Sequence, residues 1–230
     1  MALLVAVVAM VASVGQARAS GKSAKVPTDL KALLVKFDKQ CLAFSSPGTQ
    51  CEGSPFAIKY FAKHPFKGYK QFAALYKSMA AVCNTMRPST NDGGLASAGT
   101  WADRSEAQLD CSWGKVGTGS NAGNNKIVAV TIKVPMPGHT RRPQPCYHYQ
   151  STLDASSCRS IGSGARAAKT DPVLGGVLGS PNFFQILDTP GLLLEVQRLG
   201  TEKYLYAHQS DDLQDFIRIA KAFRVPSSSL

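Results

Sequence analysis

Two runs of alternating apolar and polar residues, joined by a glycine-rich connection, lie between residues 105 and 134. In the first run the apolar side chains occupy every second position, at Ala107, Leu109, Cys111 and Trp113. The second run repeats this alternation at Val128, Val130, Ile132 and Val134. Because successive side chains of a β-strand point to opposite faces, each run presents one apolar surface. The pattern predicts a hairpin whose apolar face has to be covered by other parts of the chain.

Three other segments carry apolar residues at the spacing of a helix and can supply this cover: residues 28–44, 68–86 and 211–224. Strand-like patterns at residues 192–199 and 203–208, separated by Gly200, predict a second hairpin. Together these patterns predict an α+β fold, with an antiparallel sheet of about four strands covered on one face by helices. We expect residues 28–226 to form a single domain.

The stretch from residue 135 to residue 189 is the least regular part of the chain. It is long for a connection within a compact domain, and connections of this length are often functional. Near its end, Ser180 and Pro181 predict the start of a short helix that includes Phe183, Phe184 and Leu187, because proline is tolerated in the first helical turn.

The amino terminus predicts an export signal. Residues 3–14 are almost entirely apolar, and Ala17, Arg18 and Ala19 follow as a small-residue cleavage pattern. We therefore expect residues 1–19 to be removed as a signal peptide, and residues 20–27 to form a flexible polar leader. This pattern predicts a periplasmic or secreted protein.

Six cysteines follow the predicted signal, and an even number of them in an exported protein indicates disulfides. Six cysteines allow 15 pairings, and the sequence does not choose among them. Our prediction is the set in which Cys41–Cys51 and Cys146–Cys158 each close a short loop. For the remaining pair, Cys111 lies on the apolar face of the predicted hairpin, so Cys83–Cys111 would join a helix to the sheet. No C-x-x-C pair occurs, which argues against a redox enzyme or a zinc ribbon.

The formal net charge is +11, so the surface attracts anions. Within the long connection, basic and aromatic side chains lie close together in the chain, as they do in many interaction surfaces. We predict that this loop binds a partner through Arg141, Arg142, Tyr147, His148 and Tyr149.

Catalytic motifs are scarce. The sequence has no G-x-S-x-G, no H-E-x-x-H and no spacing of histidines or cysteines typical of a metal site, and we predict no cofactor. Glu106 and Asp110 fall on the polar face of the predicted hairpin, where we expect them to be solvated. His139 and His148, with Arg142 between them, are the one clustered set that general acid–base chemistry on a phosphate-bearing substrate could use.

Three functions remain open at this level. The favoured one is an exported, non-enzymatic binding protein, such as an inhibitor or immunity protein that neutralises an exported enzyme. Its partner would be an acidic protein or another anionic component of the envelope, and nucleic acid is not expected as the main partner. The alternatives are a secreted nuclease-like hydrolase that uses His139 and His148, and an envelope protein that binds anionic polymer or lipid surfaces.

Overall fold

The computed structural model describes residues 25–89, 93–115, 126–143, 146–147, 159–160, 168–169, 182–200 and 202–225. The fold is α+β, as predicted, with an antiparallel sheet and helices. Six strands of the sheet are four residues or longer, and a two-residue strand adds to one edge. The sheet is therefore wider than the predicted four strands.

The helices and strands follow one another in this order along the chain: α1 (Leu30–Leu42), β1 (Gln50–Gly53), α2 (Pro55–Lys63), α3 (Tyr69–Thr85), β2 (Leu95–Trp101), β3 (Glu106–Lys115), β4 (Lys126–Pro135), β5 (Cys146–Tyr147), β6 (Arg159–Ser160), β7 (Ala168–Lys169), β8 (Asn182–Thr189), β9 (Leu192–Leu199) and α4 (Glu202–Ala222). In the large sheet the strand order is β1-β2-β3-β4-β9-β8-β7, and all neighbours are antiparallel. Strands β5 and β6 form a separate pair.

Strands β3 and β4 form the predicted central hairpin. Their apolar residues lie directly opposite one another, as in the pairs Leu109–Ile132 and Cys111–Val130. Gly114 belongs to β3 rather than to the connection: its φ is +114°, and a Cβ at this position would collide with the carbonyl oxygen of Lys126. Glycine is thus needed where the two strands approach most closely.

One face of the sheet packs against the helices and forms the core. The predicted stripe on α3 is confirmed, since apolar side chains such as Phe72 and Met79 are buried. Helices α1 and α4 also contribute buried residues: Leu30, Leu34, Phe37, Phe216 and Ile219. Because side chains alternate along the strands, the other face carries a group of polar side chains near its centre: Gln108, Asp110, Thr131, Lys133, Glu195 and Gln197.

Two disulfides join helices to the sheet, and both were predicted. Cys41–Cys51 connects α1 to the edge strand β1, with Cα atoms 6.0 Å apart. Cys83–Cys111 connects α3 to β3, with Cα atoms 5.6 Å apart. The predicted bridge Cys146–Cys158 lies outside the described residues, because Cys158 is not among them.

The C-terminal part differs from the prediction. The expected strand at residues 203–208 is wrong, because α4 runs from Glu202 to Ala222, and the expected helix after Ser180 is wrong, because β8 occupies those positions. The second hairpin therefore consists of β8 and β9. Tertiary contacts hold α4 against the sheet: Tyr204 and Asp212 both bind the buried guanidinium of Arg198 on β9.

The amino-terminal part can be compared with the prediction only from residue 25 onward. The predicted signal peptide, residues 1–19, lies outside the described residues. Val26, inside the predicted flexible leader of residues 20–27, is buried in the core. The packed part of the chain thus begins before the predicted boundary at Thr28. Among the described residues, no helix is both long and apolar enough to cross a bilayer.

Candidate functional site

Helix α2 is a short helix that packs weakly against the rest of the protein. Ser54 caps its amino end by accepting a hydrogen bond from the backbone N–H of Ala57 at 3.0 Å, and Pro55 occupies the first turn. The helix ends at Lys63, two residues before Pro65. None of its nine residues is buried, whereas α1 and α3 each bury several.

The outward face of α2 carries large apolar rings beside lysines. Phe56 is 79% exposed and Tyr60 is 49% exposed, and their spacing of four residues places them one above the other on the helix. Lys59 and Lys63 are exposed at the same spacing alongside them. Exposed aromatic rings that lie next to each other are informative, because soluble proteins seldom leave a contiguous apolar patch in water without a use for it.

Ring contacts connect this face to the core. Phe66, in the connection to α3, is 43% exposed, and its ring centroid lies 5.1 Å from that of Phe61. On its other side Phe66 lies 5.8 Å from Phe72, which is buried. The ring of Tyr60 stacks on that of His64 at 4.5 Å. The exposed rings of Tyr60 and Phe66 are thus in contact with neighbouring rings.

We use the name aromatic–lysine surface for these exposed residues of α2, the following connection and the start of α3: Phe56, Lys59, Tyr60, Lys63, Phe66, Lys67 and Lys70. Every charged side chain between residues 53 and 86 is a lysine; the segment contains no aspartate, glutamate or arginine. The surface therefore combines an apolar patch with positive charge alone.

Three contacts fix the position of α2. The hydroxyl of Tyr69 donates a hydrogen bond to the carbonyl oxygen of Ile58 at 3.2 Å. The bridge from Cys51 anchors the strand just before the helix. Gly53 lets that strand approach α3 closely, because a Cβ there would lie 2.7 Å from the ring of Tyr76. The aromatic–lysine surface is thus presented on a supported helix.

The loop predicted to bind a partner is placed differently. Arg141 is buried: its Nε donates to Glu106 at 3.0 Å and its Nη1 to Asp188 at 2.7 Å. Its backbone N–H also donates to the carbonyl oxygen of Pro190 at 3.2 Å. The guanidinium of Arg141 is therefore engaged inside the protein, where it joins β3 to the β8–β9 hairpin, and Glu106 is ion-paired where we expected it to be solvated.

The remaining predicted residues of this loop are not brought together by the described structure. Arg142 is exposed beside Arg141. The backbone of Tyr147 pairs with that of Arg159 in the small β5–β6 ladder. His148 and Tyr149 lie outside the described residues, and His139 is exposed in a turn. The binding role of this loop and the histidine pair of the alternative hydrolase both stay predictions.

A second group of polar residues crosses the sheet on the face turned away from the helices. Asp110, Thr131 and Glu195 lie opposite one another on β3, β4 and β9. The carboxylate of Asp110 accepts hydrogen bonds from Thr131 at 2.8 Å and from Gln108 at 2.5 Å. Asp110 is only partly exposed, so the expectation that it is solvated is wrong.

Burial raises the pKa of both carboxyl groups in this row, those of Asp110 and Glu195. It raises the pKa of the Asp110 carboxyl against the opposing effect of its hydrogen bonds. It raises the pKa of Glu195 to about 7, with a further contribution from the charge of Asp110. The described residues contain no group of three or more potential ligands that could hold a metal ion. The row thus provides a carboxyl group, that of Glu195, whose pKa lies near neutrality.

Comparison with protein-family models, with curated proteins and with solved structures finds no match to this chain. The fold and the exposed surface are therefore the basis for any assignment of function.

The aromatic–lysine surface was missed at the level of sequence, although part of its signal is present there. A short helix and a basic face are visible around residues 56–77, but aromatic residues at helical spacing are also typical of a buried stripe. The more specific signal is the joint occurrence of Phe56 and Tyr60 with Lys59 and Lys63 on one side of the helix, in a segment without acidic residues.

Proposed function

We propose that this protein is an exported, non-enzymatic binding protein that recognises an anionic component of the cell envelope through the aromatic–lysine surface. The observation that carries the proposal is the exposure of Phe56 and Tyr60 among lysines on a helix with no buried residue, together with the exposure of Phe66 in the connection that follows it. The two disulfides support the exported location, since such bridges persist in oxidising compartments.

The two kinds of side chain would contribute differently to binding. Exposed aromatic rings supply most of the contact energy at interfaces, because they remove a large apolar area from water and lose little side-chain freedom. Lysines attract an anionic partner from a distance, so they raise the association rate and make it sensitive to salt. An acidic protein, such as an exported enzyme that an inhibitor or immunity protein neutralises, fits the same requirement and stays the prediction for a protein partner.

Capture from an envelope extract tests the proposal. The immobilised protein is incubated with extract at about 0.1 M and about 0.5 M salt, which changes the screening length from about 10 Å to less than half of that. We expect an anionic component to be retained at the lower salt concentration and lost at the higher one. The double variant Phe56→Ala/Tyr60→Ala should retain at most about a tenth of it.

Trp101→Ala provides a matched control, because Trp101 is an exposed aromatic residue on β2 outside the aromatic–lysine surface. This variant should capture as much as the unmodified protein. Equal capture by all three proteins would show that the surface is not the binding site, and no specific capture at either salt concentration would refute the binding function.

A further inference from the structure

We infer that the anionic component is a lipid bilayer, and that the aromatic–lysine surface seats the protein on it with α2 lying in the plane of the headgroups. This inference rests on the proposed function and specifies the partner of the same surface. It is carried by the kind of charge on the surface, by the arrangement of its rings and by the short length of α2.

The charge is of one sign and of one residue type. Protein–protein interfaces are enriched in arginine and depleted in lysine, and complementary partners usually place both signs of charge in contact. The segment around α2 has the opposite composition, with five lysines, no arginine and no acidic residue between residues 53 and 86. A bilayer that contains anionic lipid presents one sign of charge over a wide area, and clustered lysines are attracted to such a surface without specific pairing.

The rings and lysines are arranged as in helices that lie at a membrane surface. Phe56 and Tyr60 form one exposed row along α2, with Lys59 and Lys63 as the adjacent row. In this arrangement the rings can enter the boundary between headgroups and acyl chains, while lysine stems extend along it and keep their ammonium groups at the phosphates. Phe66 lies next to this face and enlarges the apolar contact.

Helix α2 is too short to cross a membrane, and its neighbours in the chain hold it in place. Its nine residues rise about 13 Å at about 1.5 Å per residue, less than half of the hydrocarbon thickness. The preceding strand is fixed by the Cys41–Cys51 bridge, and α2 itself is joined to the following helix by the hydrogen bond from Tyr69 to Ile58. Because the helix is already formed and held, little ordering is required on binding.

Sedimentation with lipid vesicles tests the inference. One set of vesicles contains equal parts of phosphatidylglycerol and phosphatidylcholine, and the other contains phosphatidylcholine alone. We expect binding to the first set at about 0.1 M salt, strong loss of binding at about 0.5 M, and little binding to the second set. Lys59→Glu/Lys63→Glu should weaken binding by at least about 30-fold, because each basic side chain near an anionic surface contributes about fivefold.

Two controls separate the local surface from general effects. Lys31→Glu/Lys36→Glu makes the same change in net charge at two exposed lysines of α1 and should weaken binding far less. Phe56→Ala/Tyr60→Ala leaves the charge unchanged and should weaken binding by at least about tenfold, since burying an aromatic side chain contributes about this much. Circular dichroism and urea unfolding establish that each variant is folded, as expected for changes at exposed positions.

Entry of the rings into the bilayer can be measured directly. In Phe56→Trp the new indole should shift its emission to shorter wavelength with phosphatidylglycerol vesicles and should be quenched by lipids brominated in their acyl chains. Phosphatidylcholine vesicles should produce neither effect.

Four results would overturn the inference: no vesicle binding, equal binding to both kinds of vesicle, equal weakening by both lysine variants, or no effect of the ring variant. If the envelope capture that depends on Phe56 and Tyr60 then yields an acidic protein, the proposed function stands with a protein partner. If that capture also fails, both proposals fall.

Discussion

Glu195 is half-buried on β9, and burial raises the pKa of its carboxyl from 4.5 to about 7. This value of about 7 already includes two smaller effects: the charge of Asp110 adds to the rise, and the ammonium group of Lys133 opposes it. Between pH 4.5 and about 7 the folded protein therefore holds a proton that the unfolded chain has already released. Stability must fall as the pH rises through this window, because the fold disfavours the charged carboxylate.

Glutamine resembles the neutral carboxyl at every pH, so Glu195→Gln should abolish this loss of stability. The difference between 4.5 and about 7, at about 1.4 kcal/mol per pKa unit, corresponds to about 3 kcal/mol. We expect the variant and the unmodified protein to have similar free energies of unfolding at pH 4.5 or below. Above pH 7 the variant should be the more stable by up to about 3 kcal/mol.

Urea unfolding followed by circular dichroism, at several pH values across this window, measures the difference. Burial also raises the pKa of Asp38, to about 6, and this acts in the same direction, but Asp38 is present in both proteins and does not affect the comparison. Glu52→Gln is the matched control: Glu52 is exposed on β1, and its loss should change stability by less than about 0.5 kcal/mol. A difference between Glu195→Gln and the unmodified protein that stays constant with pH would refute the reasoning.

Further predictions concern the ion pair, the bridges and the central hairpin. Asp212→Ala removes the carboxylate that binds the buried guanidinium of Arg198 at 2.6–2.8 Å. Urea unfolding should show that the free energy of unfolding falls by about 3–5 kcal/mol, and a decrease below about 1 kcal/mol would contradict the structure. Replacing both cysteines of the α3–β3 bridge by alanine should lower the free energy of unfolding by about 3.5 kcal/mol, and the same change at the α1–β1 bridge should lower it by about 2.5 kcal/mol. The first loss is larger because that bridge joins residues 28 positions apart, whereas the second joins residues 10 positions apart. Calorimetry that finds the opposite order would count against the entropic account. Gly114→Ala should destabilise the protein by more than about 2 kcal/mol, since a Cβ there meets the backbone of β4. Gly48→Ala is the control, because a Cβ there meets no atom within 4 Å and the variant should show only the smaller strain of a positive φ. Equal losses of stability in thermal unfolding would argue against the close approach of the strands at Gly114.

Those parts of the fold that depend on local periodicity could be predicted from the sequence. In the β3–β4 hairpin every second side chain is apolar and buried, and Cys111 falls on the face that meets α3. Strand β8 has no such alternation, because residues 185–188 are all buried. A strand covered on both faces resembles a short buried helix in sequence, and the proline before it favoured that incorrect interpretation.

Features that depend on contacts between residues far apart in the sequence could not be predicted. Arg141 was predicted at a binding surface, but Glu106 and Asp188, separated from it by 35 and 47 residues, draw it into the protein. The exposure of Phe56 and Tyr60 is likewise a consequence of position, since a helix after an edge strand has few elements to pack against. Periodicity identifies the apolar face of a helix but does not show whether another element covers it.

The Cys41–Cys51 bridge between α1 and β1 makes the rigidity of this part of the protein depend on whether the two thiols are oxidised. Strand β1 has a neighbour on one side only, and it leads directly into the helix that carries Phe56. Without the bridge, this corner of the molecule is held by a four-residue strand and by the hydrogen bond from Tyr69 to Ile58, so backbone amides of α2 should exchange with deuterium faster in the reduced protein than in the oxidised one. A chain whose Cys41 and Cys51 are still reduced would thus present Phe56 and Tyr60 on a less firmly held helix, and closure of the bridge would fix that helix.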